Sequence, residues 1–194
     1  MRVISGTAKG RRLKSVPGES TRPVTDRVKE AVFSILSGAV EGSEFLDLFA
    51  GTGGVGVEAL SRGARRATFV EKSPRAVAVI RENLELTGLS EKAVVVRADV
   101  FRFLERAAGT YDIVYVAPPQ YQGLWQRTLK ALDAPAAVAR DLVVVQIHPR
   151  EFSQLDLAHF SLEDQRRYGS TMVCFYCRQS PGLDEAGCRE EARW

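Results

Sequence analysis

From Phe45 onward, short β-branched or apolar runs alternate with segments of helical periodicity, and this alternation constrains the fold more than any other feature. It is typical of a parallel sheet whose strands are joined by crossover helices. After the fifth run the pattern changes, because two strand-like runs flank Gly169-Ser170 and predict an antiparallel hairpin. The predicted strands are residues 45–49, 67–71, 93–97, 111–116 and 142–147, followed by the hairpin strands 162–168 and 171–178.

The chain is expected to fold as one α/β domain, because 194 residues with 45% hydrophobic content suit a single core. Thr25-Asp26 predicts the start of a helix over 27–36, and Ser73-Pro74 predicts another helix that ends at Gly88. Three parts follow from this pattern. They are a basic N-terminal arm and helix (1–37), the main domain (38–179) and a tail expected to be disordered (180–194).

Basic side chains are concentrated at the N-terminus. Residues 1–29 hold eight Lys or Arg against two acids, whereas the whole chain has a formal net charge of only +3. Such an arm suits a polyanionic partner, because each neutralised phosphate releases condensed counterions. A solvated basic tail would have the same composition, and charge alone does not decide between the two.

Other classes of protein are disfavoured by the sequence. The longest apolar runs are far shorter than the roughly 18 residues of a membrane helix, and the basic N-terminus lacks a secretory apolar region, so we expect a cytoplasmic protein without membrane contact. Cys174 and Cys177 lie three apart on a predicted strand and would point to opposite faces, which disfavours a redox or zinc site. Neither His148 nor His159 completes a metal-ligand spacing, and we predict no metal.

A glycine-rich turn follows the first predicted strand. Gly51, Gly53 and Gly56 match a dinucleotide-binding fingerprint, and Glu71 follows 20 residues after Gly51 at the end of the second strand. A carboxylate there can accept hydrogen bonds from both ribose hydroxyls of a cofactor. The glycines alone do not distinguish a nicotinamide cofactor from S-adenosylmethionine (SAM).

Asp47 makes that distinction. A carboxylate at the end of the first strand would repel a pyrophosphate but would suit the cationic amino group of SAM. Asp99 follows the third strand and opens a helix near Val100, where an adenine amino group could bind. Any one of these acids is more often a helix cap or a surface charge. Three carboxylates at three consecutive strand ends predict one extended cofactor, and we expect SAM.

The fourth strand ends in Ala117-Pro118-Pro119-Gln120-Tyr121. Two prolines stiffen this loop and leave its carbonyls free, as methylation of an exocyclic amine requires, because the amine must be held in line with the methyl group. A stiff loop with a purely structural role is the alternative. We therefore take Ala117, Pro118, Pro119 and Tyr121 as candidate catalytic residues.

Three stretches of the sequence resemble the RsmD family. They are residues 22–33, which begin Arg-Pro-Val-Thr-Asp-Arg, the motif Asp-Leu-Phe-Ala-Gly-Thr-Gly from Asp47, and Glu-Ala-Leu-Ser-Arg-Gly-Ala ending at Ala64. Members of that family methylate the exocyclic N2 of one guanine in bacterial small-subunit ribosomal RNA. The resemblance runs from about Arg2 to Arg178, and it implies a Rossmann-like class I SAM-dependent methyltransferase fold.

The resemblance also implies roles for individual residues. Asp47, Gly51, Gly53, Glu71 and Asp99 would hold SAM, with Val100 beside the adenine. Arg22, Thr25 and Arg27 would face the RNA and the reactive end of the cofactor. The basic arm would bind ribosomal RNA or a small-subunit particle. The candidate RNA-binding residues are Arg2, Lys9, Arg11, Arg12, Arg22, Thr25 and Arg27.

The fourth motif departs from the family pattern of Asp-Pro-Pro followed by Phe or Tyr, because Ala117 and Gln120 occupy the outer positions. Tyr121, one position later, would stack on an extruded base, and the carbonyls of Ala117 or Pro118 would accept the amine protons. From the resemblance and the acids at the strand ends, the first hypothesis is an rRNA guanine-N2 methyltransferase, and we expect it to act as a monomer. The alternative is a SAM-retaining RNA-binding protein without transfer activity. A nicotinamide-dependent enzyme is disfavoured by Asp47.

Overall fold

The computed structural model describes residues 1–16, 25–134 and 138–179, and its strands form one seven-stranded sheet. The strands are β1 (Glu44–Leu48), β2 (Arg66–Glu71), β3 (Ala93–Arg97), β4 (Tyr111–Val116), β5 (Ala139–Ile147), β6 (Phe160–Tyr168) and β7 (Thr171–Arg178). Their order across the sheet is β3-β2-β1-β4-β5-β7-β6. Strands β1 to β5 are parallel, and β7 is antiparallel to β5 and β6. The predicted α/β fold with a C-terminal hairpin is confirmed.

The described residues form five α-helices, of which α1 precedes β1 and the other four connect successive strands, and local sequence accounts for three of the helix ends. They are α1 (Asp26–Leu36), α2 (Gly54–Ser61), α3 (Pro74–Thr87), α4 (Val100–Leu104) and α5 (Leu124–Leu132), with 3₁₀ turns at Ser37–Val40, Ser90–Lys92 and Pro149–Glu151. The hydroxyls of Thr25 and Ser73 accept hydrogen bonds from the first turns of α1 and α3. Gly88 ends α3 with φ 70°, in the left-handed region. These three predicted helix ends are confirmed.

The central strands β1, β2, β4, β5 and β7 are buried on both faces, as their near-continuous apolar sequences require, whereas the edge strands β3 and β6 are largely exposed or half-buried. One core cluster packs Phe45 and Phe69 against Phe33 of α1, and the other packs Leu46 and Val70 with Trp125 of α5. Cys174 and Cys177 belong to different clusters, so the prediction that they point to opposite faces is confirmed. Within the described ranges, no helix has the length and apolar character needed to cross a membrane.

The N-terminal segment packs closely on the domain. Residues 1–13 fold back on themselves, with an antiparallel bridge between Arg2 and Arg12, and Val3 and Leu13 are buried in the core. A left-handed turn at Gly6, φ 81°, brings its backbone against Ser61, where an added Cβ would lie 1.7 Å from the carbonyl oxygen. Only glycine fits this approach, so the hairpin is held against the end of α2.

A buried carboxylate anchors this segment. Glu58 of α2 accepts hydrogen bonds from the backbone N–H groups of Ile4 (2.8 Å) and Ser5 (3.0 Å). It also pairs with the Nζ of Lys29 at 3.0 Å and the Nε of Arg62 at 2.8 Å. The side chains of Glu58 and Lys29 are fully buried. Lys29, one of the eight basic residues of the arm, is therefore an internal ion-pair partner and is not available to RNA.

Candidate active site at the carboxyl edge of the sheet

The loop between β1 and α2 is a tight left-handed turn at the carboxyl edge of the sheet. Phe49 (φ 59°) ends β1 one residue earlier than predicted, and Gly51 and Gly53 follow with φ 55° and 76°. An added Cβ at Gly56 would lie 2.3 Å from the ring of Phe69, so the inner side of this turn has no spare room. At Gly51 nothing lies within 4 Å of an added Cβ. The outer side of the loop is therefore open to a ligand.

Asp47 lies beneath this loop, and its side chain is almost fully buried. Its Oδ2 accepts a hydrogen bond from the N–H of Gly56 at 2.9 Å. Burial raises the pKa of Asp47 to about 8, while the N–H of Gly56 acts to lower it and the charge of Glu71 acts to raise it. Ionisation of Asp47 is therefore costly in the ligand-free protein, and a bound cation would stabilise its charged form.

Glu71 and Asp99 mark the ends of the next two strands. The carboxylate of Glu71 accepts from the N–H of Gly51 at 2.9 Å and from that of Ser73 at 2.8 Å, so it joins the β1–α2 loop to the start of α3. Asp99 is exposed, and its Oδ1 caps α4 by accepting from Phe101 and Arg102. Val100 beside it is buried. Since a carboxylate oxygen has two acceptor sites, each acid keeps capacity for a ligand.

These residues suit SAM. The glycine loop is open on its outer side, and a cationic amino group would stabilise the charged form of the buried acid Asp47. Glu71 and Asp99 offer acceptors for hydroxyl and amine donors at neighbouring strand ends. The strands β1, β2 and β3 that carry these acids are adjacent in the sheet. An extended cofactor lying across this edge would meet the acids in the order Asp47, Glu71, Asp99.

The raised pKa of Asp47 predicts a pH-dependent affinity for SAM. Below about pH 8 the acid is protonated in the empty protein, and a bound cation favours its ionised form, so binding releases a proton. Affinity should therefore rise with pH between about 6 and 8, by up to about tenfold per unit, and then level off. Calorimetric titration across this range measures the slope.

The variant Asp47→Asn keeps the shape of the side chain and removes its ionisation. Subtracting its profile removes the titration of SAM itself. A wild-type slope equal to that of the variant would contradict the assignment of Asp47 to the cationic end of the cofactor.

The proline loop lies directly beside the glycine loop. Leu48 and Val116 are in register, and the N–H of Ala117 donates to the carbonyl of Leu48 at 3.4 Å. Pro118 is buried, whereas Pro119 and Gln120 are exposed. Ala117, the first residue of the loop, is therefore a direct neighbour of the end of β1, where the predicted cofactor loop begins.

Tyr121 is held in an uncommon conformation at the tip of this loop. Its φ is 61°, in the left-handed region that non-glycine residues seldom adopt, and 64% of the residue is exposed. Its N–H donates to Oε1 of Glu151 at 2.6 Å, and its ring centroid lies 5.4 Å from that of His148. Glu151 also accepts from the N–H of His148. An exposed aromatic ring is thus fixed by contacts with the turn that follows β5, as a stacking surface requires.

Of the predicted RNA-binding residues, those in the described ranges lie on two neighbouring surfaces. Lys9, Arg11 and Arg12 are exposed on the N-terminal hairpin, and Arg2 makes an exposed ion pair with Asp26 at 3.5 Å. Two others lie at the start of α1, where the hydroxyl of Thr25 caps the helix and Arg27 is exposed. Arg22 lies outside the described residues.

Sequence reasoning missed Asn83, which links the N-terminal segment to the glycine loop. Its amide is buried, accepts from the N–H of Lys14 at 2.7 Å, and donates to the carbonyls of Lys14 (3.2 Å) and Thr52 (2.9 Å). In the sequence, Asn83 could have been noticed as a polar residue on the apolar face of α3. Glu151 and His148 gave no such signal, because their contacts with Tyr121 join segments about 30 residues apart.

Comparisons with known proteins agree over nearly the whole chain. Residues 1–177 match the family described as Conserved hypothetical protein 95. The Bacillus subtilis protein YlbH is 37% identical over 180 residues, which cover 91% of this chain and 98% of YlbH. Ribosomal RNA small subunit methyltransferase D of Escherichia coli is 32% identical, covering 96% of this chain and 94% of the relative. The solved structure of the Escherichia coli protein yhhF superimposes with a TM-score of 0.82 at 32% identity, covering 92% of this chain and 98% of yhhF.

Proposed function

The chain belongs to the family described as Conserved hypothetical protein 95, the RsmD family, and from that premise we propose that it is a SAM-dependent methyltransferase of small-subunit ribosomal RNA. One observation supports this most strongly. Acids end three adjacent strands around an open glycine loop, and a rigid proline loop with an exposed aromatic ring lies next to them. This arrangement suits a cationic methyl donor and a flat acceptor base side by side.

Residues at the carboxyl edge of the sheet would bind SAM and orient the acceptor base. SAM, when bound, supplies an electrophilic methyl group on a sulfonium. Asp47, Glu71 and Asp99 would fix the two ends of that cofactor, and Tyr121 would stack on a base turned out of the RNA. Positioning of this kind can lower the activation free energy by several kcal/mol, because the two reactants are held in line at contact distance.

We propose the exocyclic N2 of a guanine as the acceptor. The backbone carbonyls of Ala117 or Pro118 would accept hydrogen bonds from the amine N–H groups and hold the nitrogen in line with the methyl group. When the nitrogen takes the methyl from the sulfonium sulfur, its extra proton would pass to water. The cysteines of the described ranges do not serve as nucleophiles, since both are buried in β7 and burial raises the pKa of Cys174 to about 12. We therefore propose direct transfer, without a covalent intermediate on either of these cysteines.

We further propose that the protein acts as a monomer in the cytoplasm, where it would meet ribosomal RNA or a small-subunit particle. Large exposed apolar side chains are few in the described ranges, and they lie on separate elements: Leu86 of α3, Val94 of β3, Tyr121 and Leu162 of β6. Four such side chains are too few to form a large apolar patch. Light scattering at micromolar concentration would measure the mass, and a value twice that of one chain would contradict this point.

Transfer of labelled methyl from SAM to unmodified small-subunit ribosomal RNA tests the proposal. The RNA is offered naked and as assembled particles, and SAM binding is measured in parallel. Incorporation into either form supports the proposal and identifies the substrate form. Binding of SAM with no incorporation into either form contradicts it.

The substitution Tyr121→Ala is expected to lower kcat/KM for RNA while leaving the affinity for SAM almost unchanged. Stacking of one base on an aromatic ring contributes roughly 1–3 kcal/mol, which corresponds to about a 5- to 150-fold loss. Tyr121→Phe keeps the ring and serves as the control, with an expected loss below about threefold. Equal losses of RNA transfer and SAM affinity in Tyr121→Ala would refute the stacking role.

A second candidate function is RNA binding without transfer, and the alanine at position 117 favours it. The variant Ala117→Asp introduces the carboxylate that relatives of this type would use toward the amine. An inactive wild-type protein that gains transfer on this change would support loss of activity in this chain. A wild-type protein that already transfers methyl would exclude the second candidate.

A further inference from the structure

The tip of the β6–β7 hairpin lies at the same edge of the sheet as the candidate active site. β7 runs antiparallel to β5, and its residue Met172 is in register with Ile147 at the end of β5. The turn Gly169-Ser170 therefore lies beside the carboxyl end of β5, next in the sheet to β4 and the proline loop. Neither the resemblance nor the sequence motifs gave this hairpin a role.

A cleft of about 640 Å³ lies between this tip and the turn after β5. It is lined by His148, Pro149, Arg150, Arg167, Gly169 and Ser170. One of its walls, His148, is in ring contact with Tyr121 at a centroid distance of 5.4 Å. The cleft is therefore the immediate neighbour of the exposed ring on which a base would stack.

The cleft carries positive charge that the described residues leave unpaired. Arg150 is exposed, and Arg167 donates through its Nε to the carbonyl of Gly169 at 3.2 Å. No carboxylate in the described ranges lies within 4.0 Å of either guanidinium. The nearby acid Glu151 is already engaged by two backbone N–H groups, those of Tyr121 and His148. Both guanidinium groups thus keep donors for a ligand.

Charge is also distributed unevenly along the edge. Asp47, Glu71 and Asp99 lie at the ends of β1, β2 and β3 together with the basic residues Lys72 and Arg97, whereas the half formed by β5, β6 and β7 carries the two arginines and Glu151. Tyr121 lies between the halves. The two arginines on the hairpin side would attract a polyanion that approaches Tyr121 from that side.

We infer that this cleft binds a backbone phosphate of the RNA beside the extruded nucleotide, and this inference rests on the function proposed above. Guanidinium groups recognise phosphate oxygens with paired, directional hydrogen bonds. A phosphate held there fixes the strand next to the nucleotide that turns toward Tyr121. It offsets part of the cost of unstacking that base, and it positions RNA independently of the N-terminal arm.

The double variant Arg150→Ala/Arg167→Ala tests the inference, with Arg166→Ala as the matched control. Arg166 is the adjacent residue on β6, points to the opposite face, and pairs with Asp164 at 2.8 Å. The double variant should raise KM for RNA about tenfold or more while kcat and SAM affinity stay within about twofold. The magnitude of the slope of log affinity against log salt concentration should fall by about one, the change that corresponds to one lost phosphate contact. Equal KM values in the double variant and the control would overturn the inference.

Equilibrium binding of a short fluorescent RNA, measured by anisotropy without SAM, separates this inference from the proposed function. Wild-type transfer with unchanged RNA binding in the double variant would leave the function standing and overturn the phosphate site. Absence of wild-type transfer, together with weaker RNA binding in the double variant only, would overturn the function and support the cleft as an RNA site. Preferential loss of binding to an acidic peptide, with RNA binding unchanged, would also overturn the inference.

Discussion

Replacement of Glu71 by alanine is expected to weaken SAM binding by about a hundredfold or more. In the proposed complex this carboxylate accepts hydrogen bonds from both ribose hydroxyls, and each bond to a charged group contributes roughly 1.5–3 kcal/mol. Two such bonds correspond to at least about 3 kcal/mol, or more than a hundredfold in Kd. Calorimetric titration of the purified variant with SAM measures the change.

Glu71 also holds the backbone N–H groups of Gly51 and Ser73, so folding must be checked in the same variant. Thermal unfolding without ligand gives that check, because a local loss of two hydrogen bonds lowers stability but leaves a cooperative transition. Glu85→Ala, at an exposed position of α3, is the control for removal of one negative charge. A folded Glu71→Ala protein that binds SAM as tightly as the control would refute the assigned role.

Replacement of Glu58 by alanine is expected to lower the free energy of unfolding by about 3–5 kcal/mol. The change removes the carboxylate from the buried pair with Lys29 and leaves that ammonium without its counter-ion, which costs about this much in buried pairs. It also leaves the N–H groups of Ile4 and Ser5 without their acceptor. Urea unfolding followed by fluorescence measures the loss, which is a large share of the stability of a domain of this size.

Glu58→Gln separates the two contributions to that loss. The amide oxygen can still accept from the backbone N–H groups, but Lys29 again loses its counter-ion, so we expect a decrease near the lower end of that range, about 3 kcal/mol. A decrease below about 1 kcal/mol in Glu58→Ala would contradict the view that this carboxylate anchors the N-terminal hairpin. Such a result would mean that burial of Val3 and Leu13 suffices to hold the segment.

Local sequence predicted the elements of the fold well, because the signals are confined to a few neighbouring residues. The caps at Thr25, Ser73 and Gly88 appear where hydroxyl or glycine residues predicted them. β1 ends at Leu48, one residue earlier than predicted, and β5 begins at Ala139, three residues earlier than predicted. At β1 the cause is Phe49, whose left-handed backbone ends the strand, and no propensity of phenylalanine predicts that conformation.

The position of the three acids at one edge could also be predicted from sequence, because each lies at the end of its own strand and parallel strands end at one edge. The contacts between segments distant in the chain could not. The contact of Tyr121 with Glu151 spans 30 residues, and that of Asn83 with Lys14 spans 69. Hydrogen bonds between such distant segments leave no periodic pattern in the chain. The same holds for Arg150 and Arg167, which the hairpin brings into one cleft.

The central claim, that this chain methylates N2 of a guanine in small-subunit ribosomal RNA, is tested most directly by the identity of the modified nucleoside. RNA labelled by the purified protein is digested to nucleosides, separated and identified by mass. The account predicts a single labelled product, N2-methylguanosine, in an amount approaching one per RNA molecule. Label in any other nucleoside, or label spread over many guanines at low yield, would contradict it.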